Sequence, residues 1–163
     1  MSLRIAVALS ALVALATYGT RPTWATLLVA PSTIERGTRA DVVVVGRVEG
    51  SRAGWEGRRV VTRAWVVREQ MIKGSVPTRV DVLVPGGTID GIGMRVLGAA
   101  ELRDGDRAMF FLAGPRALDG GRAVLDLGAG ALPIERGPDG VDRVRDETGA
   151  MHSLTELAAG LQP

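Results

Sequence analysis

Four β-branched residues in succession, Val42-Val43-Val44-Val45, give the pattern from which the rest of the chain is read. Such side chains lose rotamer freedom in a helix and sit well on a pleated surface, and a run apolar on both faces predicts a strand covered on both sides. Residues 41–48 are therefore expected to form the central strand. A second β-rich run over residues 59–72 follows a stretch carrying Gly50, Gly54 and Gly57, which predicts a loop and an antiparallel hairpin. In that run Val60, Thr62, Ala64 and Val66 are small or apolar, while Arg59, Arg63 and Glu69 fall on the other parity. This is the period of two of a half-wet strand. Trp65, Val67 and Arg68 break the alternation, and a bulge between residues 64 and 68 repairs it.

The pattern continues in short pieces. Ser32 and Glu35 have capping-box spacing, so a brief helix is expected up to about Arg39, packed across the sheet end through Ile34. Ahead of it, residues 26–30 are apolar enough to add an edge strand. Val80, Val82 and Val84 predict the inward face of a third strand ending at Pro85-Gly86-Gly87. Asp104-Gly105-Asp106 predicts a turn into a strand over residues 107–112, where Met109, Phe110 and Phe111 supply core. Glycine-rich turns then separate three short strand candidates, over residues 122–127, 131–136 and 141–145. Ser153 and Glu156 repeat the capping-box spacing and predict a C-terminal helix through Leu157 and Leu161. Many short strands with only two short helices indicate an all-β domain, a small OB-like antiparallel barrel of five to six strands.

Composition changes this picture in three ways. Residues 1–25 read as a signal peptide: a charged start at Arg4, an apolar stretch over residues 5–18, and Thr23-Trp24-Ala25 as the cleavage site. Gly19, Arg21 and Pro22 interrupt the stretch before it reaches the roughly 20 apolar residues a membrane span needs. The expected product is a single domain over residues 26–163, secreted or periplasmic, with no membrane attachment once the leader is removed. Loss of Arg4 and Arg21 with the leader leaves basic and acidic residues equal in number, and no basic block exceeds Arg58-Arg59. That argues against a nucleic-acid partner. The chain has no Cys, which removes thiol catalysis, disulfides, Cys-ligated zinc and a lipid-anchored cysteine together.

Candidate chemistry is sparse. His152, the only histidine, stands just before a helix with no second metal ligand and no evident nucleophile, and reads as an exposed residue near a helix cap. The glycines between Gly86 and Gly98 lack the Gly-Lys-Ser/Thr ending of a phosphate loop. Asp104 and Asp106 lack the further oxygens of a calcium loop and fit a hairpin turn. Carboxylates such as Asp146 and Glu147 read as solvated surface. No catalytic residue, cofactor or metal site is expected. Trp55, placed after the central strand, is either an exposed binding anchor or a ring folded over the barrel end. Residues 88–100 combine Gly91, Gly93 and Gly98 with Ile89, Ile92, Met94, Val96 and Leu97. The segment either plugs the barrel or forms a recognition surface through Ile92, Met94 and Leu97.

One resemblance is carried by residues 39–48, the Gly-rich stretch with Trp55, Met71-Ile72-Lys73-Gly74, and Val82-Leu83-Val84-Pro85-Gly86-Gly87-Thr88. Continuing through Gly93-Met94 and Asp104-Gly105-Asp106 to Phe111-Leu112, it resembles a family of small exported bacterial proteins of unassigned function. More distantly, the region is similar to the N-terminal, netrin-like domain of tissue inhibitors of metalloproteinases. The second likeness implies an OB barrel and an exported metalloprotease as partner. Those inhibitors chelate the protease zinc through an N-terminal Cys, a residue this chain does not contain.

The expected function is a noncatalytic, exported protein-binding module, with a metalloprotease partner or inhibitor as its sharper form and Trp55, Ile92, Met94 and Leu97 as partner-binding residues. The alternative is a small exported hydrolytic or carbohydrate-processing enzyme whose carboxylates converge only in the fold.

Overall fold

The computed structural model describes residues 31–116, 119–146 and 148–162. The expected leader and the apolar run over residues 26–30 lie outside the described residues. Helix α1, Thr33–Arg39, precedes strands β1, Val42–Glu56, β2, Arg59–Lys73, and β3, Arg79–Pro85. A small hairpin of β4, Gly87–Ile89, and β5, Ile92–Met94, follows. Then come β6, Arg107–Pro115, β7, Arg122–Val124, and a 3-10 turn at Leu127–Gly130. Strands β8, Ala131–Arg136, β9, Asp142–Arg145, and β10, Met151–Ser153, lead into helix α2, Leu154–Gly160.

Five strands close an OB-like barrel. They run in the order β1-β2-β3-β7-β6, and β6 returns to pair with β1. The β3–β7 pairing is parallel and the others are antiparallel. Strand β8 pairs with β6 over Ala108, Met109 and Phe110, short of the part that pairs with β7, and carries β9 and β10 with it.

The four valines sit where the two-sided pattern requires. Val42, Val44 and Val48 point into the barrel with Ala64, Val66, Val82, Phe110 and Leu112. Val43 and Val45 point outward, into a second core with Met109, Phe111, Leu132, Val144, Leu154 and Leu161. The barrel wall therefore has a core on each side. The outer core is roofed by the β8–β10 extension and α2, which explains why β1 is apolar on both faces.

Several details differ from expectation. Strand β1 does not end at residue 48 but runs through Gly50 and Gly54 to Glu56, so Trp55 lies in a strand and the turn is only Gly57-Arg58. Gly57 holds φ 59°, a left-handed value that suits glycine in a two-residue hairpin turn. The register of β1 against β2 shifts between Val43 and Val44, Val45 and Gly46, and Val48 and Gly50. Opposite residues 65 and 66 the extra residue is Glu49, so the bulge expected near Trp65 belongs to β1. The capping box at Ser32 forms as expected, with Glu35 N–H donating to Ser32 Oγ at 3.2 Å and Ser32 N–H donating to Glu35 Oε2 at 2.8 Å. Helix α1 does not pack through Ile34, which is half exposed, but through Thr33, Arg36 and Gly37. The second capping box is absent, because the Ser153 side chain makes no cap hydrogen bond and Ser153 ends strand β10.

Candidate functional site

The apolar, glycine-rich stretch after β3 is short sheet followed by loop. Thr62 Oγ1 donates to the Gly86 carbonyl at 2.7 Å, and β4 and β5 then pair from Gly87 opposite Met94 to Ile89 opposite Ile92. Gly87 lies so close over the β1–β2 hairpin that a Cβ there would come within 2.8 Å of the Ala53 Cβ. The hairpin is thereby held against the sheet, and a two-residue turn at Asp90-Gly91 ends it. A side chain on a ribbon this short has the sheet beneath one face only, and Ile92 is left 60% exposed.

Beyond β5 the chain crosses to the other end of the barrel in irregular form. Ala99, Ala100 and Leu102 pack against the barrel core, whereas Leu97 is 89% exposed. Between this loop and the sheet lies an open groove of about 660 Å³, with Ser51, Thr62 and Val84 on one side and Met94, Val96 and Leu97 on the other. Gly128 N–H donates to the Gly98 carbonyl at 2.6 Å and ties the loop to the 3-10 turn. Leu127 lies beside Gly98, is 40% exposed, and holds φ 57° next to Asp126 at φ 49°. Left-handed backbone is unfavourable for a branched residue, so Leu127 sits there only because its surroundings fix it.

The structure thus brings Met94, Leu97 and Ile92 to one segment at one side of the barrel. Ile92 and Leu97 point outward rather than plugging the barrel, while Met94 is half-buried. Trp55 is 53% exposed but lines a different groove, with Arg52, Val61, Arg63, Trp65, Leu83 and Ile89. The strand expected over residues 122–127 stops at Val124, because Asp126 and Leu127 turn into left-handed backbone and open the 3-10 turn, and the Gly98–Gly128 contact then carries Leu127 to the loop.

Several of the ionisable groups are drawn into ion pairs. Arg63 binds both Asp81 and Asp119, Arg107 binds Glu69 and Asp142, and Arg116 binds Glu56. The hydrogen bonds that Arg63 donates to Asp81 and Asp119 raise its pKa, and the Arg63 guanidinium in turn lowers that of Asp119. The one histidine is not a bystander, since His152 Nε2 lies 2.7 Å from Asp146 Oδ2. The Thr148 hydroxyl, His152, and the Ala150 and Thr148 amides together hold the Asp146 carboxyl well below the ordinary carboxylate range. Ser32 shares a shallow groove with this pair, but its hydroxyl is committed to the helix cap, accepting from Glu35 N–H and donating to Glu35 Oε2. Among the described residues no cluster of three His, Asp or Glu side chains has metal-binding geometry.

No family model matches the chain, and no curated protein or solved structure matches it.

Proposed function

We propose that the chain is an exported, noncatalytic protein-binding module whose recognition surface is the β5 end of the small hairpin and the loop after it. The observation that supports this reading is the outward exposure of Leu97 and Ile92 beside a groove lined by Met94, on a barrel whose strands, Trp55 apart, bury most of their large apolar side chains. Exposed apolar groups around a groove lose unfavourable contact with water when a partner covers them. Leu127 extends the same surface. Export rests on the charged and apolar leader pattern of residues 1–25. Pairing with arginines leaves Asp81, Glu69 and Glu56 as surface ion pairs rather than as a facing acid and base.

An exported metalloprotease is the sharper partner, supported by the likeness to netrin-like inhibitor domains. Without cysteine, inhibition would work by covering the protease cleft with this apolar surface rather than by taking up its zinc.

The test compares wild type with Leu97→Ser in capture of proteins from cell envelope and culture medium, alongside zinc-dependent proteolysis in the same medium. Leu97→Ser is expected to lose the captured protein while Tm stays within about 3 °C, since the side chain is almost fully exposed. Equal capture by both proteins would overturn the assignment of this surface.

A further inference from the structure

Strand β1 has two edges, and only part of the second is used. Val42 to Arg47 pair with β6, and Val48 exchanges hydrogen bonds with the loop before β6, Val48 N–H to Asp106 O at 2.9 Å and Gly105 N–H to Val48 O at 2.8 Å. From Gly50 to Glu56 this edge pairs with no strand among the described residues. The phase of its backbone follows from the hairpin. Glu56 and Arg59 flank the two-residue turn, so Glu56, Gly54 and Arg52 direct their N–H and C=O groups toward β2. The Gly86 N–H donates to the Val60 carbonyl at 2.8 Å on the β3 side, which confirms that Val60 and its neighbour Trp55 turn away from each other. Ser51, Ala53 and Trp55 therefore direct their donors and acceptors away from β2, toward an edge that no strand among the described residues occupies. The edge contains no Pro or Lys, the residues that commonly blunt such a strand.

We propose that residues 52–56 of β1 pair antiparallel with the same residues of a second copy of this chain, about a two-fold axis through Gly54. The sequence of the edge is complementary to itself in this register. Ala53 faces the partner's Trp55 and Trp55 the partner's Ala53, and these are the positions whose backbone groups point outward, so each pair exchanges two hydrogen bonds. Side chains opposite each other share a face. Trp55 thus covers a small alanine on one side of the sheet. On the other, exposed Arg52 lies opposite the partner's Glu56, and the reverse pair forms by symmetry. Glu56 keeps its Arg116 contact through one oxygen and has a second for Arg52. At the axis two Gly54 residues meet in a non-hydrogen-bonded pair, the closest approach in the ladder, and a Cβ at Gly54 would have no atom within 4 Å in one copy. The edge borders the groove of Met94 and Leu97 at Ser51, but residues 52–56 include none of the exposed apolar groups there, so Leu97→Ser tests that surface and Ala53→Pro tests the pairing. The pairing assigns Trp55 to a second copy.

Sedimentation velocity of the purified protein over a concentration series tests the pairing. The expected result is a dimer fraction that rises with concentration and is unchanged in Leu97→Ser. Ala53→Pro removes one edge donor from each copy but no bond to β2, so it should weaken dimerisation about tenfold or more with Tm preserved. In the register proposed, Gly54→Cys places two thiols on Cα atoms about 4.5 Å apart, within disulfide reach, and mild oxidation should give a covalent dimer. Arg52→Glu and Glu56→Arg should each dimerise several-fold more weakly than wild type, and their mixture should recover the dimer. A monomer at every concentration with an unlinked Gly54→Cys, or a dimer that survives Ala53→Pro, would overturn the proposal. Covalent linkage of Ala53→Cys in place of Gly54→Cys would overturn its register. If Glu56→Arg fails to fold, the Gly54→Cys result decides.

Discussion

The Arg36 guanidinium is fully buried, 5.7 Å from the centre of the Phe111 ring, with its Nε 3.3 Å from Asp126 Oδ2 and its Nη2 donating to the Pro31 carbonyl at 2.9 Å. A buried charge is tolerated only with its counter-charge, so the cost of removing Asp126 exceeds the value of the pair itself. Asp126→Asn tolerates the left-handed backbone at that site while removing the charge, and is expected to destabilise the fold by about 3 kcal/mol. Arg39 binds the same carboxylate from the half-exposed surface, and Arg39→Ala should cost no more than about 1 kcal/mol. Urea titration of the two variants checks the ordering, and equal losses would mean that Asp126 does not neutralise Arg36. Sequence reading did not find this pair, because its partners are 90 residues apart and a helical Arg is normally solvated. Val44 was legible from its neighbours alone. It has no exposed surface inside the barrel, and Val44→Asp should leave the chain insoluble or unfolded by circular dichroism.

At the scale of elements, the two helices share a sequence signature and differ in what it does. At α1 both reciprocal bonds of the capping box are made, and Ser32→Ala should lower stability by about 1 kcal/mol. At α2 the Ser153 side chain makes no cap bond, so Ser153→Ala should change stability by only a few tenths of a kcal/mol. Chemical denaturation of the pair measures both. The reason lies in β10: Ser153 pairs with Arg143 of β9, and strand pairing decides the geometry at the start of this helix. The same override lengthens β1. Gly50 and Gly54 are loop residues by propensity, yet β2 supplies a ladder partner for each, Trp65 and Val61, and the strand continues. Local preference was outweighed by a long partner already in register.

For the whole molecule, acid stability follows from carboxylates held below their ordinary range. Asp146 is held by Thr148, His152 and backbone amides, Asp139 by Arg143 and the Val141 amide, and Asp119 by Arg63 and the Gly121 amide. A carboxyl whose folded pKa lies below the unfolded value of about 3.9 contributes its full stability above that value and loses it as pH falls toward the folded pKa. Tm is therefore expected to be flat with respect to these groups above about pH 5 and to fall progressively below about pH 4. Asp146→Asn should lower Tm at pH 7 and make the fall on acidification shallower, which thermal melts from pH 7 to 2 would show. Equal slopes in both proteins would mean that Asp146 is not bonded as described. The all-β barrel, the central place of residues 42–45, the third strand, and the apolar segment bearing Ile92, Met94 and Leu97 were legible in the residue pattern, because periodicity and β-branching act locally and report which faces are covered. It took the folded chain to turn Ile92 and Leu97 outward, to bring Leu127 beside them, to put Trp55 on a strand edge that is unpaired among the described residues, and to bury Arg36 against Asp126. Each of these depends on which distant segments closure of the barrel brings together, and a local pattern carries no record of that.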